Sequence, residues 1–396
     1  MDFEFSDEER AFVAEVRGFL AEEARRPDAA EFMQPERESD SILADTPARR
    51  AFCRRLAERG YLGLSWPVEY GGQGRAGIFD YLLNEELARR GAPLIGKGGG
   101  CVGQTLIRHG SEKLKQEFLP KILKAEVEFA LGYSEPGAGS DLAALQLRAE
   151  ADGEGWRING QKMFTTSAHF ADWYWLAART DRDAAKHKGI SLFLLPMRQG
   201  GITVQPIETL GEHVTNQVFL DDVWVHADYL VGEVNKGWTY ICEALDYERF
   251  TFYTFSPLAE KLKALIELAH QRTLGGVKLV ERRETRRQLA VLATDVETAK
   301  GLQRAVIYAA SQGAVPGVEA AMFKLFSTEL HQRLANAALD MLGPEGLLSK
   351  ADAEAPAGGK WEWSYRATAL DTIGAGTSEI QKNIIARRGL DLPLVM

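Results

Sequence analysis

The sequence predicts a mainly α-helical protein with a β module at its centre, and three observations carry that prediction. Up to about residue 128, apolar residues recur three and four apart, the period of a helix with one buried stripe. From Phe129 to about residue 230 the texture changes to short apolar and aromatic runs broken by Gly, Asp and Pro, as strands and turns require. After Gly232 the helical period returns and persists, with Leu289, Leu292, Val296, Ala299 and Leu302 forming one stripe. A chain of 396 residues has room for two or three domains with full cores.

In the first region, Ser6 with Glu9 three positions later is a capping-box pattern, and Phe12, Val16 and Phe19 follow on one face. Trp66-Pro67, Gly71-Gly72 and Gly98-Gly99-Gly100 then separate further helical stretches. The strand candidates are residues 156–159, 173–178, 190–195, 202–205 and 218–225. Residues 350–360, rich in Ala and Gly, read as a surface loop, and no repeat with a period of about 20–50 residues is present.

Composition narrows the function classes. Apolar residues make up 45% and charged ones 26%, which excludes disordered, collagenous and coiled-coil chains. The net charge of −9 gives no electrostatic reason to expect a nucleic-acid or anionic-membrane surface. Cys53, Cys101 and Cys242 lie far apart and read as three reduced thiols of a cytoplasmic protein. The acidic start is unlike a targeting segment, and the uncharged run 305–318 is too short and too broken to span a bilayer. There is no Walker loop, no complete G-x-G-x-x-G, no G-x-S-x-G elbow and no H-E-x-x-H. The seven histidines are scattered, so no metal site is expected.

One segment stands out, Leu131-Gly-Tyr-Ser-Glu-Pro-Gly-Ala-Gly-Ser-Asp141. Its glycines let backbone N–H groups approach a ligand, and Ser134 and Ser140 offer hydroxyls, which suits an anionic or heteroaromatic cofactor. Taken by itself, the segment is equally a tight turn opening the β module.

Together with Asn159-Gly-Gln-Lys-Met-Phe-Thr-Thr-Ser167, Ala177-Ala-Arg-Thr180 and Ile373-Gly-Ala-Gly-Thr-Ser-Glu-Ile-Gln381, this segment resembles the acyl-CoA dehydrogenase family of flavoproteins in motif order and spacing over nearly the whole chain. The resemblance implies an N-terminal helical domain (1–128), a middle β-barrel domain (129–232) and a C-terminal four-helix bundle (233–396). It implies FAD between the last two domains and a neighbouring subunit. Tyr133, Ser134 and Ser140 inherit contacts to the flavin and the CoA arm. Phe164 takes the place of a tryptophan usually packed on the flavin, with Thr166 near the N5/O4 edge; Arg272, Thr377 and Glu379 are the remaining cofactor positions. Without the motif around it, Phe164 would read as an ordinary core aromatic.

The implied chemistry needs a base for the α-proton of a thioester, opposite a flavin that takes the β-hydride. Many members carry that glutamate immediately before Gly-Thr-Ser, where this chain has Ala375. A second branch places it on an earlier helix in an L-D-x-E-R context, matched here by Leu245-Asp-Tyr-Glu-Arg249. Glu248 is therefore the candidate base, with Asp246 and Arg249 as candidate substrate contacts; the plain alternative for Glu248 is a solvated helix glutamate in a charged stretch.

Two further departures concern partners and substrate. Stretches that complete a neighbour's flavin site in homomeric members here read Arg272-Thr-Leu-Gly-Gly276 and Asp340-Met-Leu-Gly-Pro344, without the aromatic, the Gln and the second Gly. A proline has no N–H to give a pyrophosphate. This resembles the catalytic subunit of heteromeric bacterial members and implies an α2β2 tetramer with a homologous subunit, electrons passing to electron-transfer flavoprotein. The glycines of Ile95-Gly-Lys-Gly-Gly-Gly-Cys101 border the acyl pocket in the family and would leave room for a bulky, branched or steroid tail. Lys97 there could meet a terminal carboxylate of a dicarboxylyl-CoA, or sit exposed on a flexible turn. The competing functions are a flavin oxidase or monooxygenase on the same scaffold and a non-catalytic family subunit.

Overall fold

The computed structural model describes residues 5–34, 43–252, 254–311 and 316–393, and the side chains of all of these except 247–252 and 310–311. The chain opens with α1 (Asp7–Glu23), whose capping box forms as the sequence predicts: Glu9 N–H donates to Ser6 Oγ and Ser6 N–H to Glu9 Oε2. Phe12, Val16, Phe19 and Leu20 of α1 are buried. After α2 (Ala29–Phe32) and α3 (Pro47–Glu58), capped by Thr46, comes α4 (Ile78–Arg89). These four helices enclose one apolar cluster built on Phe12, Phe19, Phe52, Tyr61, Phe79 and Leu83.

The Gly98–Val102 segment winds as a π-turn and leads into α5 (Gly103–His109) and α6 (Glu112–Leu123), capped by Ser111. Gly98 in this turn and Gly103 at the start of α5 have packing reasons. A Cβ on Gly103 would stand 2.1 Å from the Trp66 ring, and one on Gly98 3.3 Å from Ile122 and 3.4 Å from Phe129. These two glycines let the chain lie close on its neighbours, while a Cβ on Gly99 would make only ordinary contacts with Ile95, the nearest at 3.8 Å.

Eight strands follow: β1 (Phe129–Gly132), β2 (Arg148–Asp152), β3 (Gly155–Lys162), β4 (Trp173–Arg179), β5 (Ile190–Pro196), β6 (Ile202–Glu208), β7 (Val214–His226) and β8 (Leu230–Val231). They form one sheet in the order β6-β7-β3-β2-β4-β5-β8, with β1 also on β4. The barrel expected from the sequence is not there: among the described residues no pairing joins β6 to β8, so the sheet is open. Its central strands explain why closure is unnecessary. One face of β4 and β5 (Trp175, Ala177, Leu192, Leu194) packs on α5, α6 and the next helix, and the other (Tyr174, Leu176, Phe193, Leu195) lies in a core that includes β3 and β7 residues. Both faces are covered without the two edges meeting.

The C-terminal region holds α7 (Gly237–Phe252), α8 (Ser256–Gln271), a two-stranded hairpin of β9 (Thr273–Leu274) and β10 (Val277–Lys278), α9 (Arg283–Ser311), α10 (Gly317–Leu342), α11 (Lys360–Ala367) and α12 (Ser378–Ile384). The predicted stripe on α9 is buried or nearly so, against α8, α10 and Trp361. Among the described side chains the four long helices do not share one core. Tyr240, Ile241 and Ala244 of α7 belong to the cluster of α5, α6 and the sheet, so α7 sits between the sheet and the other three. No helix among the described residues is long and apolar enough to cross a membrane, and no His, Cys, Asp or Glu group there is arranged to hold a metal.

Candidate functional site

β1 and β2 lie end to end along the same edge of β4, with Gly132 opposite Leu176 and Arg148 opposite Arg179. Residues 133–147 leave and re-enter the sheet at that gap. A buried ion pair fixes the loop from beneath: Lys162 Nζ donates to Glu135 Oε1 at 2.8 Å and to the Tyr133 carbonyl at 3.0 Å. The Glu135 carboxylate also accepts from the N–H groups of Gln146 (2.6 Å) and Leu147 (3.0 Å). Burial pushes the Lys162 ammonium down to about 8, against the pull of Glu135. Tyr133 is buried as well, its hydroxyl accepting from Trp175 Nε1 at 2.8 Å.

The outer part of the loop is built differently. Pro136, Gly137, Gly139 and Ser140 are exposed. A Cβ on Gly137 or Gly139 would meet nothing within 4 Å, and neither glycine has positive φ. Nothing inside the chain requires glycine at either position. What their missing side chains provide is unobstructed access to the backbone N–H groups, which is the property of an anion cradle.

The Met163 N–H donates to the Ser134 carbonyl at 2.9 Å, which lays the turn after β3 against this loop. Thr165 anchors that turn inward, exchanging hydrogen bonds with Asn216 and touching the Tyr174 hydroxyl at 3.2 Å. Phe164 and Thr166 on either side consequently point outward. Phe164 is 61% exposed and holds φ +58°, a conformation costing about 1–2 kcal/mol for a residue with a side chain. An exposed phenyl ring on a strained backbone beside open amides is suited to a planar ligand with an anionic arm.

Lys97 reaches this turn from the N-terminal helices, donating to the Thr166 carbonyl at 3.1 Å and to Ser167 Oγ at 2.6 Å. Arg50 clamps its far end through the Phe170 carbonyl (2.6 Å) and Asp172 (3.3 Å). Five expected site residues, Lys97, Tyr133, Ser134, Phe164 and Thr166, are thus brought together, with Ser140 on the rim.

The C-terminal motif forms a separate turn. Ala375 stands at φ +50° and Gly376 at +89°. The fully buried Lys324 of α10 binds its carbonyls, donating to Asp371 O (2.9 Å) and Gly376 O (2.8 Å), while Gln381 Nε2 donates to Gly376 O at 3.0 Å. Thr377 caps α12 by accepting from Ile380 N–H, and Glu379, exposed in its first turn, is held below the usual carboxylate range by backbone N–H and by Thr377. Among the described residues no hydrogen bond links this turn to the Phe164 group. Arg272 lies elsewhere again, its guanidinium paired with Glu345 just past Pro344. Asp246 lies half-buried on α7. Glu248 and Arg249 lie in the last turns of α7, and their side chains are outside the described residues.

Sequence reasoning missed Lys162 and Lys324. Lys162 was legible as the one cation in the Asn159–Ser167 motif, and Lys324 as a lone charge in the apolar run Ala320-Ala-Met-Phe-Lys-Leu-Phe326.

Comparison with known proteins matches the whole architecture. The acyl-CoA dehydrogenase N-terminal domain model covers residues 6–126, the middle domain model 130–223 and the C-terminal domain model 235–390. The chain is 35% identical to acyl-CoA dehydrogenase FadE29 of Mycobacterium tuberculosis, over 100% of both chains. Among solved structures, it is similar to the Tcur3481-Tcur3483 steroid ACAD, with TM-score 0.88 and 32% identity over 100% of both chains. It is similar also to the ChsE4-ChsE5 complex from Mycobacterium tuberculosis, with TM-score 0.87 and 31% identity over 100% of both chains. With three domain models in sequence and relatives aligned end to end, the chain belongs to the acyl-CoA dehydrogenase family, flavin-dependent oxidoreductases acting on acyl-CoA.

Proposed function

We propose that this chain is the catalytic subunit of a heteromeric FAD-dependent acyl-CoA dehydrogenase that converts an acyl-CoA with a bulky tail to its trans-2-enoyl-CoA. The observation that carries the reading is the pairing of the exposed, strained Phe164 with the unobstructed glycines of the 133–147 loop. These residues fit FAD: Phe164 offers a face to a planar ring, Thr166 flanks it, and Ser134 and Ser140 stand on the amide-rich loop. Bound there, FAD supplies the hydride acceptor of the reaction.

The protein's own part is to hold and deprotonate the thioester. Glu248 takes the α-proton, with Asp246 and Arg249 beside it on α7 orienting the substrate and its CoA arm. Ala375, a methyl where many relatives carry a carboxylate, leaves Glu248 without a competitor. Electrons leave to electron-transfer flavoprotein. Arg272 supports heteromeric assembly: its guanidinium is engaged by Glu345 of its own chain, and Pro344 has no N–H to lend to a neighbour's cofactor. The likeness to a steroid ACAD favours a polycyclic tail, and the likeness to the ChsE4-ChsE5 complex favours assembly with a second kind of subunit.

The test is anaerobic flavin bleaching with a panel of acyl-CoA thioesters, alongside Glu248→Gln. Wild type is expected to bleach and the variant to keep its FAD while losing at least a thousandfold in rate, in the range for loss of a general base. Turnover surviving in Glu248→Gln would remove the base assignment. Rapid O2 consumption by the reduced enzyme would favour an oxidase, and protein that stays without flavin even when co-expressed with a homologous subunit would favour a non-catalytic subunit.

A further inference from the structure

Arg179 closes β4, within the Ala177-Ala-Arg-Thr180 motif, and is 7% exposed. Its guanidinium donates to carbonyls alone. Nη2 reaches Ala143 O (2.6 Å) and Leu145 O (3.3 Å), Nη1 reaches Lys186 O (3.1 Å) and Lys188 O (2.8 Å), and Nε lies 3.4 Å from Leu145 O. Ala143 and Leu145 belong to the 133–147 loop, Lys186 and Lys188 to the connection from β4 to β5. One planar fork therefore joins two loops through donors at fixed angles, which an ammonium on a flexible stem does not reproduce. Thr180 secures the base of the second loop, its hydroxyl lying 2.7 Å from Ser191 Oγ and 2.6 Å from Asn235 Oδ1. Further out, Lys186 Nζ donates to the Asp141 carboxylate at 2.5 Å, beside Ser140.

Next to the gripped carbonyls stands a run of open donors. The backbone N–H groups of Gly139, Ser140 and Asp141 meet no acceptor among the described residues, and all three residues are exposed. Such donors bind an anion well when the turn is already rigid, because no ordering cost is then charged against binding. Charge acts in the same direction. Lys162 and Arg179 are both buried and oppose each other, while Glu135, buried beside them, already pairs with Lys162. Among the described residues no carboxylate lies within ion-pair distance of Arg179. Burial lowers its guanidinium from the usual arginine range, against the pull of Glu135 and Asp181. An anion on the open amides offsets that buried positive charge.

We propose that Arg179 is a positioning residue for diphosphate recognition: by gripping the carbonyls of Ala143 and Leu145 and tying both loops together, it holds the amides of residues 139–141 in the arrangement that receives a ligand's diphosphate. The inference rests on the reading above, in which the two ligands of the site, acyl-CoA and FAD, each carry that group.

The experiment compares the wild-type holoenzyme with Arg179→Gln and Arg179→Lys. Calorimetry gives the Kd for one acyl group carried on dephospho-CoA, which keeps the diphosphate, and on pantetheine, which lacks it. Reconstitution of the flavin-stripped enzyme compares FAD with FMN in the same way, and flavin bleaching is followed in parallel. Arg179→Gln is expected to lower the preference for the diphosphate-bearing member of a pair about tenfold or more, the scale of one hydrogen bond to a charged group, with kcat at saturation near wild type. Arg179→Lys, which keeps the charge without the fork, is expected to recover only part, and it serves if the Gln variant does not fold. A fall confined to the thioester pair assigns the diphosphate to the substrate, and one confined to the flavin pair assigns it to the cofactor. Equal weakening of both members of each pair, the pattern of a merely structural role, overturns the proposal. So do full recovery in Arg179→Lys and wild-type preferences in both variants. A preference that falls in Arg179→Gln, with no thioester bleaching the flavin of wild type, overturns the dehydrogenase reading and leaves Arg179 in place.

Discussion

Lys162 and Glu135 show how single residues hold the 133–147 loop. Their ion pair is fully enclosed, so removing one partner strands the other: Lys162→Met should cost about 3–5 kcal/mol, and adding Glu135→Gln, which keeps an acceptor for the Gln146 and Leu147 N–H groups, should recover part of it. Urea denaturation of the three proteins checks this, and equal losses in the single and double variants would contradict it. The pH dependence has a definite sign. The Lys162 ammonium is lowered from 10.5 to about 8 in the fold, so between those values the unfolded chain binds more protons and stability rises with pH. Wild type should therefore gain stability from about pH 8 towards pH 10 through this group, a gain absent from Lys162→Met. Phe164 and Thr166 were legible because their motif is local in sequence. The contacts of Lys97 to that turn were not, because the Thr166 carbonyl and Ser167 hydroxyl lie 69 and 70 residues away in sequence and meet it only after folding.

At the level of elements, α8 has no cap of its own, and α4 provides one. Glu85, buried on α4, accepts from the Phe255 N–H (2.5 Å), the Ser256 N–H (3.0 Å) and the Ser256 hydroxyl, and also from Gln303 of α9 and the Tyr81 hydroxyl. One carboxylate thereby joins the N-terminal helices to two helices of the C-terminal region, directly after the α7 turns that carry Glu248. Glu85→Ala leaves several buried donors unsatisfied at about 1–3 kcal/mol each, so a fall in Tm of several degrees is expected, with kcat falling too. Glu248→Gln should leave Tm unchanged, and a Glu85→Ala protein melting like wild type would refute the capping role. This tie could not be read from the sequence, since a glutamate on a helix is ordinarily solvated. The α1 capping box and the α9 stripe could, because both are set by spacing within one helix. The open sheet was missed for the opposite reason: strand runs are visible locally, but whether edge strands meet depends on what covers the central ones.

The whole molecule was legible as helices, strands and helices because each region keeps one hydrophobic period for about a hundred residues. The proposed heteromeric assembly rests on smaller signs, Pro344 and the Arg272–Glu345 pair. Expressed alone, the chain should purify with little flavin, and co-expression with a homologous subunit should raise the flavin content to near one per catalytic chain; absorbance and mass by light scattering report both. A fully flavinated, active homotetramer would refute the heteromer. One consequence of the sheet's shape bears on behaviour at high concentration. An unclosed sheet presents β6 as an edge, and such edges invite strands of other molecules to add on. Pro206 sits within β6, opposite Asn216, and interrupts its row of amide donors, while three polar side chains, Thr203, Gln205 and Glu208, are exposed along it. The same edge that a barrel would have hidden is thereby made a poor template for aggregation, and association is left to side-chain surfaces that can choose their partner.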